Sequence, residues 1–430
     1  MSDLYFQYPR LDWNSSEDSM VAVRLALTPL LLARLVRLGN SHDPLSVHSD
    51  LTPYPLATFG WDEIKGNFVD LAYLDLLENK VGRNHWWVDA CFAKAGKLHV
   101  LGFAIPPRNW QGGLPQVHID GRRARVEPAT SGWARDTYWF LAGSQSVGFY
   151  AVADSQAAGA FSRIDLSFPD GDAAEGIRRF PYFQIIAGFD QLPLPLPPDE
   201  NIHRVSGPTS NQASYVNGGK TDFERFKTLI LEQLNGRPLS QLRVLDWGVG
   251  CGRLARYFIE EGASVVGIDI DAGNIAWCKD NLKSGEFFKV ELMPPTQLRS
   301  DEFDVIISSS VLSHLTEHAM HAWLEELNRV LNPDGVALLS FNGSGNAYLY
   351  GSADPRAIET LGNHGFFDEW RTPDLDGFVE GAEDYYRFTV MTNDRAEMIF
   401  RKNNVYEGFV PGVTSTHQDI GVLRKLARSN

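Results

Sequence analysis

From Arg243 onward the chain alternates between two hydrophobic rhythms. Short apolar runs stand at 244–247 (VLDW), 264–269 (SVVGID), 303–308 (FDVIIS) and 336–341 (VALLSF). Each is bounded by glycine, proline or polar residues, the pattern of strands buried on both faces. Between them apolar residues recur every three or four positions, as with Trp323, Leu327, Val330 and Leu331, which predicts a helix over Glu317–Leu331 stopped by Pro333 and Gly335. A third strand over Glu286–Glu291 is broken by the MPP at 293–295. A helix over Asn393–Lys402 precedes two closing strands near Val405–Val410 and Asp419–Leu426, and an amphipathic helix over Ser214–Ile230 leads into the whole.

The first half has a different rhythm. HWWVDACFA, KLHVLGFAI, QVHIDGRRARVE, TYWFLAGSQSVGFYAV and SRIDLSFP are short β-rich pieces at close spacing, with a hairpin turn expected at Asp120-Gly121. They predict a mainly β, sandwich-like domain over 50–183. The LPLPLPP at 192–198 makes 184–210 a stiff extended connection to a C-terminal α/β domain over 211–430. Residues 1–49 are expected to form an N-terminal arm or helix. Its apolar run Met20–Leu38 is interrupted by Arg24, Arg34 and Arg37 and contains Pro29, so it reads as a surface or packing helix rather than a spanning segment or signal peptide.

The chemistry is concentrated where the first buried strand runs into DWGVGCGRL. A dinucleotide fingerprint requires G-x-G-x-x-G. Here Gly248 and Gly250 are followed by Gly252, and the place of the third dinucleotide glycine is held by Arg253. Asp246 precedes the loop, where it would repel a pyrophosphate and suit a ligand carrying an ammonium group. DWGVGCG resembles the first motif of class I S-adenosylmethionine-dependent methyltransferases. The resemblance implies a Rossmann-like seven-stranded sheet, S-adenosyl-L-methionine as cofactor and S-adenosyl-L-homocysteine as product. It further implies that the glycine loop admits the methionine part of the cofactor and that Asp269, with Ile270 beside it, ends the second strand at the ribose. A carboxylate suits two neighbouring hydroxyls because it only accepts. Val290, Glu291 and Leu292 compete for the adenine edge, with Glu291 preferred. Tyr215 and Gly219 are either cofactor neighbours or part of a plain helical lead-in.

Ser308, Ser309 and Ser310 leave the fourth strand, where cofactor and acceptor should meet beyond the carboxyl ends of the sheet. The stretch 343–388 is expected to cover the acceptor, with Tyr385 and Tyr386 either binding it or packing beneath. A neutral histidine is the natural base for a hydroxyl acceptor near neutral pH. The candidates are His417, His314 and His364, with Gln418 and Asp419 placed to fix the tautomer of His417. The PP after the third strand, the Ser-His-Leu after the fourth and the HQD of GVTSTHQDIGVLRK resemble a bacterial methyltransferase subgroup associated with glycan and glycolipid assembly. That resemblance implies O-methylation of a sugar hydroxyl in a cell-surface polysaccharide or glycolipid precursor. The alternatives are another small metabolite as acceptor, or a non-catalytic module that senses the cofactor and binds glycan.

Charge and cysteine usage narrow the field. A net charge of −15 over 430 residues opposes a surface that tracks phosphates, so nucleic acid is not expected as a partner. Cys91, Cys251 and Cys278 are far apart and form no C-x-x-C pair, and no carboxylate–histidine spacing is diagnostic of a metal. A cytoplasmic enzyme is expected, with contact at the inner membrane face left open for lipid-linked acceptors and self-association through the β domain also left open. Trp13, Trp61, Trp86, Trp87, Trp110, Trp133 and Trp139 crowd the first half, either as core or as a sugar-stacking platform.

Overall fold

In the computed structural model the described residues are 86–107, 110, 112–129, 147–155, 159–174, 178–343, 360–361, 364–373 and 375–426. The predicted arm at 1–49, with its run at 20–38, and Trp13, Trp61, Trp133 and Trp139 lie outside them, as does 344–359 of the expected cover.

The described residues between 86 and 185 hold two antiparallel four-stranded sheets. One joins β1 (Trp86–Lys94), β2 (Lys97–Ala104), β5 (Arg125–Pro128) and β6 (Val147–Asp154) in the order β1-β2-β6-β5. The other joins β3 (Gln116–Ile119), β4 (Arg122–Arg123), β7 (Phe161–Ser167) and β8 (Tyr182–Ile185) in the order β4-β3-β7-β8. Asp120 and Gly121, with φ of 51° and 78°, make the tight turn between β3 and β4, since both central residues of a type I′ hairpin need positive φ. Alternate residues of both sheets, including Leu98, Val100, Val117, Ile119, Phe149, Ile164 and Leu166, share one buried core.

The second half is a single seven-stranded sheet. Its strands are β9 (Arg243–Trp247), β10 (Ser264–Asp269), β11 (Glu286–Lys289), β12 (Phe303–Ser308), β13 (Leu331–Phe341), β16 (Asn404–Val410) and β17 (Asp419–Lys425), in the order β11-β10-β9-β12-β13-β17-β16. The first five run parallel, and β17 enters antiparallel between β13 and β16. A hairpin of β14 (Phe366–Arg371) and β15 (Arg387–Met391) stands apart from that sheet. Neighbouring residues of one strand serve opposite faces: Val244, Val305 and Val336 pack on one side, Leu245, Ile306 and Ala337 on the other. This explains why these strands read as continuous apolar runs.

The helices of the described residues are α1 (Pro169–Ala174), α2 (Asp199–Ser206), α3 (Gln212–Gln233), α4 (Ala255–Glu260), α5 (Ala272–Asn281), α6 (Glu317–Val330), α7 (Ala382–Tyr385) and α8 (Asn393–Asn403), and several of them cover the two faces of the seven-stranded sheet. α3 packs Phe223, Phe226 and Ile230 on one face, while α6 and α8 pack Trp323, Leu327 and Phe400 on the other.

α3 also closes the outer edge of β8. The Phe183 N–H donates to Thr221 Oγ1 at 3.0 Å and the Ile185 N–H to Asn217 Oδ1 at 2.7 Å. These amides would otherwise be an open template for strand addition. The expected extended connection at 184–210 is therefore corrected at both ends. Its start belongs to β8, and 199–206 is a helix begun after Pro198 with Asp199 and Glu200 in its first turn and ended by Gly207.

Candidate functional site

The strand order reverses at β9, where β10 lies on one side and β12 on the other. Such a switch point opens a crevice beyond the carboxyl ends of the strands. The crevice here is lined by Trp247, Gly248 and Gly250 after β9, and by Asp269, Ile270 and Asp271 after β10. Ser309, Ser310, Val311 and His314 after β12 complete the floor, and Leu375, Tyr385 and Tyr386 come from the expected cover.

The glycine loop is shaped for close approach. Gly248 and Gly250 have φ of 76° and 53°, a region that favours glycine. A Cβ on Gly250 would stand 2.7 Å from Val205 Cγ2, and one on Gly248 would collide with Val311. Gly252 faces away from the crevice toward Leu282 and Cys278, so it serves packing of the loop on α5.

Asp269 organises the loop from below. Its Oδ2 accepts the Gly250 N–H at 2.7 Å and its Oδ1 the Asp271 N–H at 2.8 Å. Each oxygen keeps a further lone pair for a ligand hydroxyl. Burial raises its pKa to about 6 against the pull of these amides. Asp246 is buried on β9 and raised to about 7, chiefly by desolvation, with Arg253 opposing and Asp269 adding to the rise. Its Oδ2 has no hydrogen-bond partner among the described residues. Asp246 is not among the residues that line the crevice, but its orphaned oxygen beside the glycine cradle, with the lone pairs of Asp269, fits a ligand carrying an ammonium group and ribose hydroxyls.

The cofactor side differs from expectation at several positions. β11 ends at Lys289, and it is Val290 that lines the crevice; Glu291 points outward and pairs with Lys289 at 2.7 Å. Tyr215 and Gly219 do not line it. The Tyr215 hydroxyl donates to the Cys251 carbonyl at 3.0 Å, and Gly219 lets α3 approach Arg253 and Tyr257, so both support the loop from behind. Ser308 is buried beneath the crevice, while Ser309 Oγ accepts from Arg253 Nη2 at 2.7 Å. Arg253 donates its other terminal nitrogen to Asp222 of α3 at 2.7 Å.

The sequence reading missed α2 altogether. It lays Arg204 and Val205 on the crevice wall. Arg204 Nε donates to Asp271 Oδ2 at 2.8 Å, and its guanidinium lies 4.6 Å from the centre of the Phe378 ring. Asp271 in turn caps α5 through the Gly273 and Asn274 amides. Pro198, the two acids after it and Gly207 were a legible helix signal.

Of the three histidines, only His314 lines the crevice. Its Nδ1–H donates to the Arg387 carbonyl at 2.9 Å, its ring stacks on Tyr386 at 4.2 Å, and burial lowers it to about 4. His364 is exposed and does not reach the crevice. His417 is buried elsewhere, 3.5 Å ring to ring from Trp87 of β1, and burial with Arg225 nearby pushes it well below the usual histidine range. Gln418 and Asp419 do not orient it: Gln418 reaches Ser310, and Asp419 accepts from Gly412 and Asn393. Tyr385 accepts from the Trp323 indole at 2.8 Å, so both predicted tyrosines line the crevice. Trp86, Trp87 and Trp110 all pack against protein: Trp86 donates to the Phe180 carbonyl, Trp87 lies on Phe103 and Trp110 edges onto Phe168. Among the described residues no group of histidines, cysteines and acids could hold a metal ion, and no helix is long and apolar enough to cross a membrane.

A family model described as "Methyltransferase domain" matches residues 244–335. Over 108 residues, 24% of this chain, the sequence is 35% identical to a ubiquinone biosynthesis O-methyltransferase of a Bradyrhizobium species, covering 40% of it. Over 117 residues it is 27% identical to the Pelagibacter ubique protein of the same name, covering 26% of this chain and 48% of that one. The chain thus spans less than half the length of these relatives. A crystal structure of the Burkholderia thailandensis 1,6-didemethyltoxoflavin-N1-methyltransferase aligns with 57% of this chain and 96% of that one at 17% identity. The TM-score of that match is 0.34. The matched segment, strand order and glycine loop are similar to those of a class I methyltransferase domain of the Rossmann-like kind. The glycine loop and the acids beside it fit S-adenosylmethionine as the cofactor.

Proposed function

We propose that this protein transfers a methyl group to a hydroxyl of a small, ring-bearing acceptor, with His314 as the base. The observation that carries this is the hydrogen bond from His314 Nδ1 to the Arg387 carbonyl, at the acceptor end of the crevice. It commits one ring nitrogen as donor and leaves Nε2 as the basic one. Bound S-adenosylmethionine supplies a methyl group activated by a sulfonium. Asp269 and Asp246 are the residues that would hold its ribose hydroxyls and ammonium group, and the glycine loop lets the backbone come close. With that methyl group passed to the acceptor oxygen and the sulfur leaving as the neutral thioether, His314 Nε2 would take the hydroxyl proton. Burial keeps His314 neutral but also makes it a weak base, so alignment supplies most of the rate.

The acceptor we favour is a sugar hydroxyl of a polysaccharide or glycolipid precursor, a reading supported by the HQD, PP and Ser-His-Leu pattern and consistent with a cytoplasmic enzyme. A phenol is the second reading. It is favoured by the names of the curated relatives and by the flat faces of Tyr386 and Trp323 on the crevice wall. Incubation with methyl-labelled cofactor and a panel of sugars, lipid-linked sugars and catechols, followed by mass spectrometry, separates them. A labelled sugar supports the first reading, and a labelled catechol replaces it with the second. Tight binding of S-adenosylhomocysteine with no transfer to either class would defeat both and leave a cofactor-sensing module.

A further inference from the structure

The HQD segment is not spent on His417. Its middle residue, Gln418, is buried between the ends of three strands, and its hydrogen bonds can be assigned one by one. Asn342 Nδ2 donates to the Thr389 carbonyl at 2.9 Å, so Asn342 presents its oxygen to Gln418. The nitrogen of the Gln418 amide must face that oxygen, and it does, at 3.1 Å. The same nitrogen donates to Ser310 Oγ at 2.9 Å. The Gln418 oxygen then accepts from Ser340 Oγ at 2.7 Å, which commits the only proton of Ser340 and leaves its oxygen to accept the Ser310 N–H, also at 2.7 Å.

The result is a closed ring: Ser310 N–H to Ser340, Ser340 to the Gln418 oxygen, the Gln418 nitrogen back to Ser310 Oγ. It grips Ser310 by main chain and side chain together. Ser310 needs that grip, because its φ of 67° lies in the left-handed region that is unfavourable for a residue with a side chain. Ser310 lines the crevice next to Val311 and His314. Because the Gln418 amide can only donate to it, the serine keeps its own proton for Ser313 Oγ, 2.9 Å away, or for a ligand.

We propose that Gln418 is a positioning residue for the acceptor: through the ring with Ser340 it holds Ser310 so that the serine hydroxyl is offered to the acceptor rather than to the cofactor. This rests on the methyl-transfer reading. The test is Gln418→Ala in the full chain. Its KM for the acceptor found in the panel should rise about tenfold, the worth of one or two hydrogen bonds, with KM for S-adenosylmethionine and kcat within about twofold. Gln418→Ala combined with Ser310→Ala should cost no more than Ser310→Ala alone, since the two act as one unit. An unchanged acceptor KM, or fully additive losses, would overturn the proposal. A crystal structure of the Gln418→Ala protein with S-adenosylhomocysteine needs no acceptor: Ser310 should leave its left-handed conformation, and an unmoved Ser310 would also overturn it. Should Gln418→Ala fail to fold, Ser340→Ala, which opens the same ring at one link, is read in the same two ways. If the wild-type protein methylates nothing in the panel, the methyl-transfer reading is what fails, and the crystal structure still decides whether Gln418 positions Ser310.

Discussion

Asp269 accepts two backbone amides, so it builds the loop and keeps further lone pairs, which on the proposed reading take a ribose. Asp269→Ala should therefore weaken S-adenosylmethionine and S-adenosylhomocysteine alike, by about 10- to 100-fold in calorimetry, the scale of losing hydrogen bonds to a charged group. Unchanged affinity would show that the ribose lies elsewhere. Gly250→Ala combines a left-handed φ with a collision at Val205 and should destabilise the fold by about 1–3 kcal/mol in denaturant unfolding while removing cofactor binding. His314→Gln keeps a donor for the Arg387 carbonyl but has no basic nitrogen. It should lower kcat by about 10²- to 10⁴-fold with homocysteine-product affinity preserved, and a fully active variant would remove His314 as the base. These residues were visible in the sequence in unequal measure. Asp269 and the glycines follow from spacing within one βαβ unit. The choice of His314 over His417 depends on Trp87, far away in the chain, which fills the space beside His417.

At the scale of elements, the strands after Arg243 were legible because each is buried on both faces and so carries an unbroken apolar run. Glu291 was misplaced for a related reason: the strand stops at Lys289, and alternation then turns Val290 inward and Glu291 out. α2 was obscured by the prolines before it, although its cap and first-turn acids were present. Its role is to brace α5: Arg204 is nearly buried and paired with Asp271, itself the cap of α5. Arg204→Ala leaves that buried carboxylate without its cation and should lower S-adenosylhomocysteine affinity by about tenfold or more. Calorimetry beside a thermal melt checks this, and a melt shift without an affinity change would reduce α2 to packing.

Across the whole molecule, several buried groups pull on the pH dependence of stability in opposite directions. Asp246, Asp269 and Asp419 are raised by burial to about 7, 6 and 7. The folded state therefore holds protons that the unfolded chain releases above its ordinary carboxylate range, and these groups favour folding less as pH rises from about 4 to 7. His314 and His417, held neutral by burial, act oppositely: the unfolded chain takes up protons below about pH 6.5 that the folded one refuses. On the proposed reading, cofactor binding favours ionised Asp246 and Asp269. The rise in melting temperature produced by S-adenosylhomocysteine should accordingly grow between about pH 5.5 and pH 8, while kcat at saturating cofactor stays flat down to about pH 5.5 because His314 remains neutral. A ligand-induced shift that is the same at both ends would separate these carboxylates from the binding site.

Arg253 stands where a dinucleotide-binding loop would place a glycine, and its side chain ties Asp222 of α3 to Ser309 at the crevice. Asp222 also accepts from the Ser415 hydroxyl at 2.9 Å, three residues before Gln418. One guanidinium thus joins the lead-in helix, the fourth-strand exit and the C-terminal turn into a single brace. Evolution toward another nucleotide could not proceed by exchanging this residue for glycine alone. The same exchange would cut the tie between α3 and the strand exit at Ser309, leaving a loop of the right shape in a crevice whose walls no longer keep their distance.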